Sequence, residues 1–341
     1  MDKKNVTIKD IAKAAGVTHP TVSRALNNHP AIAEKTRERI VELAQQMGYV
    51  PNAAARGLKT KRTRALGAIL HQIDDPFWSE VLEGVDTVLL SEGYSLFIAA
   101  THNEKQREKE VVQAMVERGV DGVLLLSPNF REEQCRFLNS YDLPMVMVNN
   151  EGVGECRYFI SNDDEYGARL ITKHLIDLGH TRLAYLGKQH SASNRNRLAG
   201  FRTEMHAARL PIDKKLIYHT SAGNPIGGEE GAEYLLSLDE IPSGIVCYND
   251  FLAVGVYNVL QEKGLRIPQD VSVTGFDNIL IAAYLYPPLT TFHQMKFELG
   301  QGAARMMLEV LSSQQHNLEY PASKKASIKG ALKIRASTTS V

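Results

Sequence analysis

The chain is poor in the residues that staple or metallate a small fold. Its three cysteines, Cys135, Cys156 and Cys247, stand far apart with no paired spacing, which argues against a disulfide framework or a zinc site. No stretch reaches the ~18 apolar residues of a membrane-spanning helix. The amino-terminal M-D-K-K-N-V-T is polar, with no apolar run behind it to serve as an export signal, so the expectation is a cytoplasmic protein without membrane contact. There is no P-loop, no G-x-G-x-x-G, no G-x-S-x-G and no H-E-x-x-H, and the eleven histidines are dispersed. An enzyme, a cofactor and a metal are therefore not expected. Net charge is missing too, since 39 Lys/Arg balance 39 Asp/Glu over the 341 residues.

That balance hides a division. Residues 1–64 carry 13 Lys/Arg against 5 Asp/Glu, which leaves 26 against 34 for the rest. The basic end is where a polyanion would be met, with Lys59, Lys61, Arg62 and Arg64 closing it. Within it, Thr7 to Asn27 reads T-I-K-D-I-A-K-A-A-G-V-T-H-P-T-V-S-R-A-L-N. Ile8, Ile11, Ala12 and Ala15 share one helical face, and Gly16 can take the positive backbone angle of a tight turn. Thr18 is placed to cap a second helix whose first turn tolerates Pro20 and whose inward face is Val22 with Leu26. A third helix is expected over 32–47, with Ile40, Leu43, Ala44 and Met47 as its core stripe and Gly48 at its end. This is a helix-turn-helix that leaves His19, Pro20, Thr21, Ser23, Arg24, Asn27 and Asn28 pointing outward.

V-T-H-P-T-V-S-R-A-L-N, followed by I-A-E-K-T-R-E-R-I and then Y-V-P-N-A-A-A-R-G-L-K, resembles the headpiece and hinge of the LacI/GalR family of bacterial transcription regulators. The resemblance implies a homodimer that reads a pseudo-palindromic double-stranded operator. Thr18, His19, Pro20, Thr21 and Ser23 would form the recognition surface, with Arg24 and Asn27 on the backbone or flanking edges. Asn52, Arg56 and Leu58 would act from the hinge, Leu58 as an apolar wedge in the minor groove. A run this short is marginal as a free helix, so its folding would be coupled to DNA. The domains so implied are a headpiece over 1–48, a hinge over 49–63, and an effector-binding and dimerisation domain over 64–341.

From Ala65 onward, short apolar runs alternate with amphipathic segments, the pattern of a parallel sheet with crossover helices. Strands are expected at Ala65–His71, Ser95–Ala99, Gly122–Leu126, Pro144–Val148, Arg182–Leu186, Gly244–Tyr248 and Val271–Gly275. Gly93, Gly119, Gly179 and Gly264 sit where intervening helices should end. A last strand is expected in A-S-I-K-G-A-L-K-I-R-A-S-T-T. By resemblance the whole is a small all-α helix-turn-helix headpiece plus an α/β periplasmic-binding-protein-like core of two doubly wound parallel-sheet lobes. The first lobe would comprise about 64–162 and 294–323, the second about 163–293 and 324–341. No leucine heptads follow, so a coiled-coil tetramer is not expected.

Ligands of such lobes bind at strand carboxyl ends, in the crevice. Phe77 and Trp78 open the helix after the first strand, and at least one should stack on a ring. The resemblance adds Asn149, Arg197 in R-L-A-G-F, Asn249, Asp277 and Gln294 as effector contacts, with Asp250 read instead as a helix cap. The stretch Ser221 to Gly228 lacks the aromatic that many relatives place there, and Tyr218 is the nearest substitute. A hydroxyl-binding set of this kind favours a sugar or glycoside effector, with a nucleoside or purine as the alternative. A transporter's solute-binding protein would fit the large domain but not the headpiece.

Overall fold

The computed structural model describes residues 6–49, 62–102, 104–126, 132–149, 156–316 and 323–341. Asn52, Arg56 and Leu58 lie outside them. The chain divides into two units between Thr63 and Arg64.

The headpiece has three helices, α1 (Ile8–Ala15), α2 (His19–Leu26) and α3 (Glu34–Gln46). Thr7 and Asp10 cap α1 reciprocally: the Thr7 hydroxyl accepts the Asp10 N–H at 3.4 Å while the Asp10 carboxylate accepts the Thr7 N–H at 2.8 Å. Gly16 turns the chain with φ +64°. Ile11, Ala12, Ala15, Val22, Ala25, Ile40 and Ala44 form the core, with Leu26, Leu43 and Met47 packed around it. Ala25, rather than Leu26, is thus the fully buried partner of Val22, three residues before it on the same face. Arg39 of α3 reaches across to the Ala15 carbonyl and satisfies a backbone acceptor at the end of α1.

The second unit holds two sheets. The first lobe has β1 (Ala65–Leu70), α4 (Pro76–Ser91), β2 (Ser95–Ala100), α5 (Lys105–Glu117), β3 (Gly122–Leu126), α6 (Glu132–Asn139), β4 (Met145–Val148) and β5 (Tyr158–Asn162). The chain then crosses to α7 (Asp164–Asp177), β6 (Leu183–Lys188), α8 (Ala192–Ala207), β7 (Ile217–Thr220), α9 (Pro225–Leu236), β8 (Gly244–Cys247), α10 (Asp250–Glu262), β9 (Ser272–Asp277) and β10 (Thr290–His293). It returns through α11 (Lys296–His316) and β11 (Lys324–Ile328) and ends with β12 (Ala331–Lys333). The sheet orders are β11-β5-β4-β3-β1-β2 and β12-β10-β9-β8-β6-β7, parallel throughout except for β12 against β10. The inner strands are apolar and buried on both faces, as a sheet sandwiched by helices requires. Gly93, Gly119, Gly179 and Gly264 all take positive φ where helices end.

The return to the second lobe is corrected. Residues 324–328 pair in parallel with β5 in the first lobe, so the last crossing comes after Ile328 and not at 324. The run expected as one final strand is two, in different sheets, broken at Gly330, where a side chain would collide with the His293 carbonyl. The edge strand β7, I-Y-H-T, has no apolar run to announce it. Cysteine spacing also misled: Cys247 is free and buried, but Cys156 is disulfide-bonded, because separation along a chain does not limit approach in space. No helix among the described residues is long and apolar enough to cross a membrane.

Candidate functional site

On the headpiece, Thr18 caps α2 by accepting the Thr21 N–H at 3.4 Å, and its hydroxyl lies 2.9 Å from that of Thr21. Pro20 sits in the first turn, where the missing N–H costs nothing. His19, Pro20 and Arg24 are exposed on one surface, Thr21 and Ser23 are half-buried, and Asn27 folds its amide back on the Ser23 carbonyl at 2.7 Å. The surface offered outward is therefore centred on His19, Pro20 and Arg24, and the hydroxyls of Thr18 and Thr21 are engaged with each other.

In the crevice, Arg197 projects from α8 and is buried. Its Nε donates to Asp164 Oδ1 at 2.8 Å and its Nη1 to the Tyr248 carbonyl at 2.6 Å, with Asp277 Oδ1 3.7 Å away. The guanidinium also lies 3.8 Å from the Phe276 ring centroid and 4.5 Å from that of Tyr248. Burial works against its charge, but Asp164, Tyr248 and Asp277 outweigh it and hold its pKa above the ordinary value. Asp277 ends β9 with φ +117° and accepts from the Gln294 amide. Burial pushes its carboxyl well up, against the pull of Arg197.

Lys296, 1% exposed, joins the lobes: its ammonium donates to the Asp277 carbonyl at 2.8 Å and pairs with Glu80 of α4 at 3.1 Å. Neither it nor Asp164 carries a local sequence signal. Asp250 is structural, as expected, though not as a cap. It accepts from Thr291 Oγ1 at 2.6 Å and from the Ile279 N–H at 2.9 Å, and burial pushes its carboxyl up to about 7. Asn249 takes the capping role instead, accepting the Leu252 N–H at 2.9 Å and donating to the Gly223 carbonyl at 3.0 Å.

The first lobe contributes differently. Phe77 and Trp78 both lie in its hydrophobic core, edge to face with centroids 4.9 Å apart. Tyr218, the substitute aromatic, is stacked on Tyr234 at 4.8 Å. Asn149, 7% exposed, takes φ +57° at the end of β4 and leaves its Oδ1 without a hydrogen bond. Gln294, fully buried, leaves its Oε1 in the same state. Asn162 at the end of β5, absent from the sequence-derived candidates, leaves both ends of its amide unmet.

Residues 7–52 match the family described as bacterial regulatory proteins, lacI family, and residues 172–338 match a periplasmic binding protein-like domain. Over 319 residues the chain is 35% identical to the HTH-type transcriptional repressor PurR of Vibrio cholerae serotype O1 (strain M66-2), spanning 91% of this chain and 93% of that protein. Among solved structures, the lac repressor dimer bound to operator and the anti-inducer ONPF matches with a TM-score of 0.87 at 24% identity, over 98% of this chain and 100% of that one. The complex of the transcriptional regulator CelR with cellobiose matches with a TM-score of 0.75 at 25% identity, over 98% and 100%.

Proposed function

The chain belongs to the lacI family of bacterial regulatory proteins, and we propose that it is a cytoplasmic, homodimeric transcriptional repressor whose operator affinity is set by a small molecule held between its lobes. DNA is read by the α2 surface around His19, Pro20 and Arg24, with the hinge residues Asn52, Arg56 and Leu58 completing the contact. Leu280, Ile281, Tyr284 and Tyr286, all exposed, give the second lobe an apolar edge suited to a second copy. The effector acts through its different affinity for two arrangements of the lobes, since equal binding to both would shift nothing.

For the effector, a nucleobase or nucleoside is the better-supported class, and a sugar the second. The observation that carries it is the likeness to PurR repressors along nine-tenths of the chain. The chemistry of the crevice agrees: unmet amide groups on Asn149, Asn162 and Gln294 offer the donors and acceptors that a heterocycle's edges require. Phe77 and Trp78 are buried in the core and Tyr218 is stacked on Tyr234, which weakens the sugar reading, while the CelR–cellobiose likeness keeps it in view. A thermal-shift screen of the full chain with adenine, guanine, hypoxanthine, their nucleosides, ribose and cellobiose separates the two. Stabilisation that grows with the concentration of a purine, joined to a change in operator affinity, is expected. Stabilisation by sugars alone overturns the nucleobase reading.

A further inference from the structure

Burying an amide without partners is costly, and folded chains rarely leave such a group unmet at both ends. Asn162 is 5% exposed and does so, with neither Nδ2 nor Oδ1 bonded. Asn194 of α8 shows what this chain does with a buried amide that serves only the fold. Its Oδ1 accepts from Tyr185 OH at 2.9 Å and the Lys188 N–H at 3.2 Å, and its Nδ2 lies 3.3 Å from His219 Nδ1. The unmet groups are also not scattered. Asn149 follows β4, Asn162 ends β5 and Gln294 follows β10, so all three stand at strand carboxyl ends on the crevice. The Asn149 N–H donates to the Ile160 carbonyl, two residues before Asn162, and Asp164, two residues after it, holds Arg197.

We propose that Asn162 contacts the effector directly and reads an adjacent donor and acceptor on one planar edge. This rests on the preceding reading that the crevice holds a small effector, and it narrows its chemistry. The oxygens of Asn149, Asn162 and Gln294 call for three donors, and the Asn162 NH2 for an acceptor beside one of them. The amide edge of an oxopurine, with an N–H next to a carbonyl, forms two parallel hydrogen bonds with such a side chain. Because the unmet amide destabilises the empty protein, an apolar residue of similar size in its place removes that cost while abolishing recognition.

The test is Asn162→Leu and Asn162→Ala in the full chain, melted without ligand and titrated calorimetrically with hypoxanthine, guanine and cellobiose. The expected result is that Asn162→Leu melts at or above the wild-type temperature and binds hypoxanthine or guanine at least about tenfold more weakly. Asn162→Ala should bind as weakly as Asn162→Leu whatever its melting temperature. Unchanged affinity in both variants, or an Asn162→Leu protein that melts well below wild type without ligand, overturns the proposal. If wild type binds cellobiose and no purine, the nucleobase reading fails, and Asn162 is then upheld or overturned by whether its variants lose cellobiose. If wild type binds none of the three, the unliganded melt decides, a lower melting temperature for Asn162→Leu overturning the role.

Discussion

In the second lobe the polar groups at the crevice are already committed to one another. Arg197 holds Asp164 and the Tyr248 carbonyl, Asp250 accepts from Thr291 and Ile279, and Asn249 caps α10 while gripping Gly223. In the first lobe Asn149 and Asn162 carry no formal charge and have hydrogen bonds still to make, and Phe77 and Trp78 of the same lobe are buried in its core. One wall is a finished electrostatic network and the other an unfinished hydrogen-bonding surface. Residues expected to do the same job, holding a ligand, are thus of two kinds. The charged ones first hold the second lobe together, and the amides of the first lobe and crossover are those whose satisfaction awaits a ligand.

The largest effect should follow from breaking the finished wall. Arg197→Ala removes the guanidinium that pairs with buried Asp164 at 2.8 Å, and breaking a buried pair from one side typically costs about 3–5 kcal/mol. The variant should therefore unfold at markedly lower denaturant concentration, in addition to losing effector affinity. Denaturant titration of the full chain checks this. A stability within about 1 kcal/mol of wild type would show that the network is not the structural unit described here, and that Arg197 serves the ligand alone.

How far these roles were legible depended on whether the signal was local. The headpiece was, because Thr18, Gly16 and the Ile11-Ala12-Ala15 stripe act within a turn or two of themselves. So were the helix ends at Gly93, Gly119, Gly179 and Gly264, where a positive φ selects glycine. Arg197 was legible as a crevice residue but not as a structural one, because Asp164 lies 33 positions away in sequence. Asn162 was not legible at all: nothing in Y-F-I-S-N distinguishes an amide that bonds its own fold from one that does not. The split of the last strand was hidden for the same reason, since the sheet that each half joins is decided by β5 and β10 far upstream.

A smaller effect tests whether the walls sense each other. His71, just past β1 in the first lobe, has its pKa lowered from 6.5 to about 4 by burial, aided by the positive charge of Lys188 at the end of β6 in the second. Its folded pKa is below its unfolded one, so the stability it contributes is present above pH 6.5 and is lost as pH falls toward 4. The buried carboxyls of Asp75, Asp250 and Asp277 are shifted up and work in the opposite sense over the acid range, so the wild-type curve alone does not isolate the histidine. Subtracting the stability–pH curve of His71→Asn from that of wild type does. The difference should fall by at most about 3 kcal/mol between pH 6.5 and 4. A flat difference would mean that His71 is solvated in both states.

The smallest effect is the most direct probe of the comparison, because it changes one wall and reads the other. Lys188→Met removes the ammonium that lowers both His71 and Asp75 while keeping a long apolar stem beside Gly223. The His71 pKa should rise from about 4 but remain below 6.5, since burial is its larger cause and is untouched. Asp75 should move further above its ordinary value, because burial already raises it and the charge opposing that rise is gone. Two groups of the first lobe would thus shift upward together in response to a single change in the second, which an NMR titration of the imidazole and the carboxyl can follow. If both stay where they were, the crevice contains enough water to screen the two lobes from each other, and the unmet amides of Asn149 and Asn162 would face solvent that can already satisfy them.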